Sequence, residues 1–443
     1  MELARKRVIV VGLGKSGISA ARLCQRHGAR VLGTDVAPAE KLPKELGALG
    51  IELSLGGHAG VDFGAADLIV VSPGVPPLPA LGAAEAAGVP VIGEMELASR
   101  FVRAPVLAVG GTNGKSTTTT LCARMLEASG RRIFAGANLG EPACEAALSE
   151  FDVVVFEVSS FQLERAPQFA PRVSVLLNIS EDHLDRYASY AEYANAKGNA
   201  FVNQRAEDFA VVPEGDAACG AQARRGKGRL VTFGPGGDYA LEGREVIERA
   251  SGERFSLSGV ALHGRHNLAN AAAAIAAVRA LGVGSSPVAS GLRTFQPLHH
   301  RMALVRELDG VRYYDDSKGT NVGASVTALV GLEEERAVLI AGGRDKLGSY
   351  GPLVDALVDK GRAMVVIGEA AERIARAVGD RVPVVSAGSM VEAVEKAASL
   401  ARAGDAVLLS PACSSYDMFR DYVDRGNQFV AAVKALKDPE ARA

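Results

Sequence analysis

Tryptophan is absent from the 443 residues, and aromatic residues make up only 5% of the chain. Its cores must therefore be built mainly from aliphatic side chains. Surplus charge of either sign is missing too: 49 Lys+Arg stand against 51 Asp+Glu, a formal net charge of -2. That balance excludes a general nucleic-acid binder, which would carry a net basic face to neutralise phosphates. Cysteines are few, odd in number and far apart (Cys24, Cys122, Cys144, Cys219, Cys413). They form no CxxC pair and no metal-ligand spacing, so no disulfide framework or zinc site is expected, which suits a reducing compartment. No window approaches about 20 apolar residues, and the N-terminus lacks the apolar run and small-residue cleavage site of a signal peptide. A cytoplasmic protein with no membrane partner is the expectation. What the chain does have is 48% hydrophobic residues and 50 glycines, which excludes disorder and implies many tight strand-to-helix turns.

The length predicts about three domains, each able to bury its own core without staples. The fold class read from the pattern is α/β. Residues 1–93 form a Rossmann-like unit, 94–297 a central P-loop unit, and 298–443 a second Rossmann-like unit. In the first, a strand at Val8–Val11 leads through a glycine turn into a helix at Ile18–His27. A strand at Arg30–Thr34 ends at Asp35, and one at Asp67–Ser72 runs into Ser72-Pro73-Gly74. The central unit has strands at Val106–Val109, Val153–Val158 and Val173–Asn178, and helices at Glu94–Phe101, Ser116–Ala128 and Asn267–Leu281. Around Pro213–Arg254, weak periodicity predicts short strands and loops. The last unit has strands at Val311–Asp315, Ala337–Ala341, Ala363–Ile367 and Ala406–Leu409. Strands alternating with helices imply parallel sheets covered on both faces.

Two glycine loops carry chemistry. Gly12-Leu13-Gly14-Lys15-Ser16-Gly17 fits GxGxxG between a strand and a helix, where backbone N–H groups can meet a pyrophosphate. Asp35 ends the next strand, a common place for a carboxylate that meets a ribose hydroxyl. A turn that merely packs the first helix is the bland alternative. The second loop is more specific: Gly110-Gly111-Thr112-Asn113-Gly114-Lys115-Ser116-Thr117 follows a strand and opens a helix. It supplies N–H donors, an ammonium for the β/γ-phosphates of ATP and a hydroxyl for Mg²⁺. Val109 stands where the first P-loop glycine usually does, so the turn is tighter than GxxxxGK[ST]. A diphosphate loop and an ATP loop in one chain imply that ATP energy is spent on a nucleotide-linked substrate.

Glu157 ends an apolar strand on the ligand side of the sheet, well placed as a Mg²⁺ ligand beside Ser116. His183 belongs to the segment after the next strand, among Glu181, Asp182 and Asp185, which a charged turn explains equally well. Lys197 reads from the residues alone as a solvated lysine on a helix.

These residues resemble the Mur ligases, the ATP-dependent amino-acid-adding enzymes of peptidoglycan synthesis. The resemblance spans the chain: Gly111–Thr118, Glu157-Val158-Ser159-Ser160, Asn178 to Asp185, Gly264 to Asn270, and Asp315 to Asn321. Ser159 to Glu164, Asp316-Ser317-Lys318, Gly342 to Lys346 and Ser410 to Asp417 resemble the D-glutamate-adding branch. The resemblance implies UDP-N-acetylmuramoyl-L-alanine and D-glutamate as substrates, no nucleic acid, and a monomer. It implies that Gly14, Lys15, Ser16, Asp35, Ser72, Pro73 and Gly74 hold the UDP part, with Asn138 and His183 nearer the muramoyl-alanine end. Val36 stands where a hydroxyl residue can help hold uracil. Gly111, Thr112, Asn113, Gly114, Lys115, Ser116 and Thr117, with Asn267, Asn270, Arg301 and Asp316, would bind ATP. Ser116, Glu157, His183 and a carbamylated Lys197 would hold Mg²⁺; Lys115, His183 and Lys197 would be catalytic. Thr320, Lys346, Ser415 and Tyr416 would receive D-glutamate, with Tyr422 closing the pocket.

The implied reaction is transfer of the γ-phosphate to the alanine carboxylate, then attack of the D-glutamate amine on the acyl phosphate. A sister ligase adding another amino acid is the nearest alternative. An NAD-dependent oxidoreductase would leave the P-loop and Glu157 unexplained, and a nucleotide switch would not need the first loop.

Overall fold

The structure, a computed structural model, describes residues 1–183, 186–345 and 349–437. The described strands fall into three sheets. The first contains β1 (Arg7–Val11), β2 (Arg30–Asp35), β3 (Glu52–Leu55), β4 (Leu68–Val71) and β5 (Val91–Gly93), in the order β3-β2-β1-β4-β5, all parallel. Val8–Val11 and Leu68–Val71 are buried throughout because both faces of a parallel sheet are covered. The order reverses beside β1, so the crevice opens at the loop after β1. A Cβ at Gly17 would lie 1.8 Å from the Gly12 carbonyl oxygen, so only glycine lets the helix Lys15–Arg26 start this close to the strand.

The second sheet is built from β6 (Val106–Gly110), β7 (Ile133–Ala137), β8 (Val153–Glu157), β9 (Val173–Leu176), β10 (Phe209–Pro213), β11 (Arg229–Gly234), β12 (Tyr239–Glu242), β13 (Glu245–Glu248) and β14 (Glu253–Ser256). Their order is β14-β13-β12-β11-β10-β9-β6-β8-β7, parallel from β7 to β12 and antiparallel at the β13 and β14 edge. β6 lies between β8 and β9, so the loop it launches is flanked by the ends of both. Helix Arg265–Ala280 is alanine-rich because it is buried: Ala271 to Val278 are inaccessible, and small side chains let it approach the P-loop helix Lys115–Ala128. The third sheet holds β15 (Ala303–Leu308), β16 (Val311–Asp315), β17 (Ala337–Gly342), β18 (Gly361–Ile367), β19 (Val384–Ser386) and β20 (Ala406–Leu409). Its order is β15-β16-β20-β17-β18-β19, parallel except at the β15 edge. Each aliphatic side chain fully buried in β17 and β20 contributes about 1.5–3 kcal/mol.

The α/β reading and its alternation hold, with element ends moved by a few residues. The strand read as Val173–Asn178 stops at Leu176, which frees Asn178 for the site. β3, β5 and β19 are only three or four residues long, too short to show an alternating pattern, and β7 and β15, though mostly apolar, fall outside the strands read from the sequence. The segment 213–254 contains β11 to β13 and the start of β14, and also helix Ala217–Ala223, which the expectation of short strands and loops did not include. Among the described residues, no helix is long and apolar enough to cross a membrane.

Candidate active site

Gly14, Lys15, Ser16, Asp35, Ser72, Pro73, Gly74 and Asn138 line one cavity of about 490 Å³ at the C-terminal edge of the first sheet. Its floor is tied together by side chains. Asp35 accepts the Leu13 N–H at 2.6 Å and the Ala37 N–H at 2.8 Å. The Ser72 hydroxyl donates to the Gly12 carbonyl at 2.7 Å. Val36 lines the same cavity and is 67% exposed, so it offers an apolar surface at the position where a hydroxyl residue could help hold uracil. His58 also lines it, held at 2.8 Å from the Thr34 hydroxyl.

Beside it, the P-loop turns at the end of β6. A Cβ at Gly114 would lie 2.4 Å from Asn270 Oδ1, and its φ of +86° is unfavourable for other residues. Asn178 clamps the turn from β9: its Oδ1 accepts the Asn113 N–H at 2.9 Å and its Nδ2 donates to the Asn113 carbonyl at 3.0 Å. Lys115 curls back, its Nζ donating to the Gly111 and Thr112 carbonyls at 3.0 and 2.7 Å. Burial lowers its pKa, opposed by the charge of Glu157 and aided by Arg301. Thr117 is buried in the helix that follows.

Glu157 is 2% exposed. Its Oε1 accepts from Asn138 at 2.5 Å, and its Oε2 is buried without a partner. Glu157 and Ser116 line one cavity, and that orphaned carboxylate oxygen fits Mg²⁺, which takes one or two carboxylates and otherwise phosphate and water. Among the described residues no three His, Cys, Asp or Glu side chains converge on a metal position. His183 lines the same cavity with backbone φ of +55° and its ring 4.8 Å from that of Phe161. It does not line the cavity that holds Lys15 and Asp35.

Lys197 is not solvated as its helix position suggested. It is 3% exposed, its Nζ donates to the Gly111 carbonyl at 2.8 Å, and it lies 4.5 Å from the Tyr193 ring centre. Burial, with the charge of Lys115 second, pushes its pKa well below the ordinary lysine value. A protonated Lys197 cannot ligate a cation; a carbamate on the same nitrogen can.

From the third sheet, Arg301, Asp316, Lys318, Thr320 and Tyr422 reach the cavity that holds Lys115 and Glu157, facing Asn267 and Asn270. Arg301 Nη2 lies 3.5 Å from the Ser116 hydroxyl, and its Nε is buried without a partner, as befits a group waiting for an anion. Burial raises Asp316 to about 7, while Arg301 and bonds from Ser410 and Met302 pull it down. Asn270 donates to Asn267 at 3.1 Å. Ser415 is buried and Tyr416 is 68% exposed; neither lines this cavity. Lys346 lies outside the described residues, as do Leu184 and Asp185.

Four contributors escaped the sequence reading. Asn178 and Lys318 stood in quoted motifs without a role. Tyr193, hydroxyl 3.2 Å from that of Thr112, sat in a helix that read as ordinary. Arg425 is fully buried; its guanidinium donates to the Ser317 hydroxyl at 3.0 Å and carbonyl at 2.8 Å, and to the Cys413 carbonyl at 3.1 Å. No local signal marks an arginine that a fold will bury.

Family models match three consecutive parts of the chain: a Mur ligase MurD-like N-terminal domain over residues 6–93, a Mur ligase middle domain over 109–278, and a Mur ligase glutamate ligase domain over 300–413. A UDP-N-acetylmuramoylalanine–D-glutamate ligase of Trichlorobacter lovleyi is 46% identical, covering 98% of this chain and 100% of its own. One of Geotalea daltonii is 44% identical over 100% of both. Among solved structures, a pseudomurein peptide ligase type C from Methanothermus fervidus superposes with a TM-score of 0.62 at 20% identity, over 97% of this chain and 100% of its own. A MurF ligase from Thermotoga maritima in complex with ADP superposes with 0.61 at 18% identity, over 100% and 97%; at that identity the likeness speaks to the fold. With full-length relatives at this identity and all three family models in register, the chain belongs to the Mur ligase family.

Proposed function

We propose that this chain is an ATP-dependent ligase that joins D-glutamate to UDP-N-acetylmuramoyl-L-alanine in peptidoglycan precursor synthesis, acting in the cytoplasm as a monomer. The observation that carries the reading is the position of Asn138. It lines both the cavity of the first glycine loop and the cavity of the P-loop, so a substrate held by its diphosphate in one can present its far end to ATP in the other. Residues 1–93 would bind the UDP part, 94–297 ATP, and 298–443 D-glutamate.

A carboxylate is a poor electrophile toward an amine. Transfer of the γ-phosphoryl group to the alanine carboxylate gives an acyl phosphate and ADP. The D-glutamate amine then attacks the acyl carbon, loses a proton, and phosphate departs. Lys115 and Arg301 would meet the negative charge that gathers on the transferring group, so their role would be positioning and charge stabilisation. Mg²⁺, when bound, neutralises phosphate charge; Glu157, Ser116, His183 and carbamylated Lys197 would hold it. Asn267, Asn270 and Asp316 would hold the adenosine end. Lys318 and Thr320, with Lys346, Ser415, Tyr416 and Tyr422, would meet the dianionic amino acid.

Phosphate release measured over a panel of UDP-N-acetylmuramoyl precursors and candidate amino acids tests the reading. Release should depend on ATP and D-glutamate. Equal release with L-lysine, a diamino acid or a dipeptide would assign the chain to a sister ligase.

A further inference from the structure

Asn321 sits on the seam between the second and third sheets. It is the N-cap of helix Val322–Gly331, and its Oδ1 accepts the Ala324 N–H at 2.7 Å. Its Nδ2 points the other way, across the seam. It donates to Asp182 Oδ2 at 2.9 Å and approaches Asn113 Oδ1 at 3.5 Å. One amide therefore touches the P-loop, the segment that carries His183, and the first turn of a helix behind Thr320. The seam is tight at this point. A Cβ added at Gly323 would lie 3.0 Å from Ser180 Oγ and 3.5 Å from Asn113 Nδ2.

We propose that Asn321 is a positioning residue that latches the C-terminal domain onto the ATP loop and so protects the acyl phosphate from water. The inference rests on the ligase reading above. A bond from an amide N–H to a carboxylate is charge-assisted and directional, and this one exists only while the two domains meet. It therefore stabilises the closed arrangement. Asn113, Asp182 and Asn321 all line the cavity of Lys115 and Glu157, so a gap between them admits water to the reacting atoms. Water attacking the acyl phosphate returns the carboxylate and free phosphate, consuming ATP with no amide formed.

Phosphate and ligated product counted in one reaction test this. Wild type should release one phosphate per product. Asn321→Ser keeps a cap acceptor but loses the Nδ2 that reaches Asp182; Asn321→Asp keeps the cap and sets two carboxylates face to face. Both should release phosphate in excess, at least about twofold, and raise the D-glutamate KM about tenfold, the range expected for one hydrogen bond to a charged group. In an Asp182→Asn background the Asn321→Asp change should cost much less, because donor and acceptor have exchanged sides. Gly323→Ala leaves the cap intact and wedges the seam, so it should reproduce the excess even if Asn321→Asp lowers the melting temperature. A ratio that stays at one in Asn321→Ser and Gly323→Ala overturns the latch. If wild type forms no D-glutamate-dependent product, the ligase reading fails instead. Small-angle scattering of the ADP-bound chain then judges the latch alone: a larger radius of gyration for Asn321→Asp supports it, and equal radii overturn it.

Discussion

Lys115 and Lys197 donate to the same atom. Their Nζ groups lie 3.0 and 2.8 Å from the carbonyl oxygen of Gly111. Two ammonium groups on one oxygen repel each other, and burial disfavours charge on both, so Lys197 gives up its proton far more readily than a free lysine. A neutral amine is the form that reacts with CO₂, yielding a carbamate and a proton. Stripping CO₂ should therefore lower activity and bicarbonate restore it, with a ¹³C-carbamate signal that Lys197→Ala abolishes. Lys197→Ala should be almost inactive and partly rescued by a short carboxylate. Loss without rescue would leave the lysine a structural role only.

Lys115→Ala should remove ADP formation, by about a thousandfold or more, because its ammonium is the cation at the centre of the loop. Circular dichroism should show the fold intact. Retained turnover would take the P-loop out of the chemistry.

Legibility in the sequence followed distance along the chain. Gly114-Lys115-Ser116 is a local constellation, and its spacing alone specified the loop and the helix it opens. Glu157 was legible because a carboxylate closing an aliphatic strand has a fixed address in a parallel sheet. Lys197 and Arg425 were not legible, because what makes them unusual is burial by segments far away in the chain. The bond between Asp182 and Asn321, 139 residues apart, belongs to the same class. Short edge strands such as β19 were not legible because three residues, two half-buried and one exposed, carry no periodicity.

Glu94 gives a pH signature outside the two cavities of the glycine loops, in a small recess it shares with Ser72 and Pro73. Its carboxylate is buried and accepts the Cys144 N–H at 2.6 Å. Burial pushes its pKa from 4.5 up to about 7. The folded state thus holds its proton more tightly than the unfolded state. The associated stabilisation is complete below about pH 4.5 and is lost as pH rises through about 7. Glu94→Gln keeps the acceptor and removes the titration. It should raise the melting temperature at pH 8, by an effect on the order of 2–3 kcal/mol, and leave it nearly unchanged at pH 5. Equal shifts at both pH values would contradict this.

Val36→Thr should restore a polar contact in the first cavity. The expected result is a KM for the UDP substrate lower by about threefold with kcat unchanged, the signature of binding that is uniform along the reaction. An unchanged KM would mean that Val36 faces no polar group of the ligand.

The central claim is that a carboxylate held by the first domain is activated by phosphoryl transfer in the second and captured by an amine from the third. UDP-N-acetylmuramoyl-L-alanine labelled with ¹⁸O in both oxygens of its alanine carboxylate tests it most directly. With ATP and D-glutamate, mass spectrometry should find one ¹⁸O in each released phosphate and one in the new amide. Unlabelled phosphate, or phosphate release without an amide product, would contradict the account.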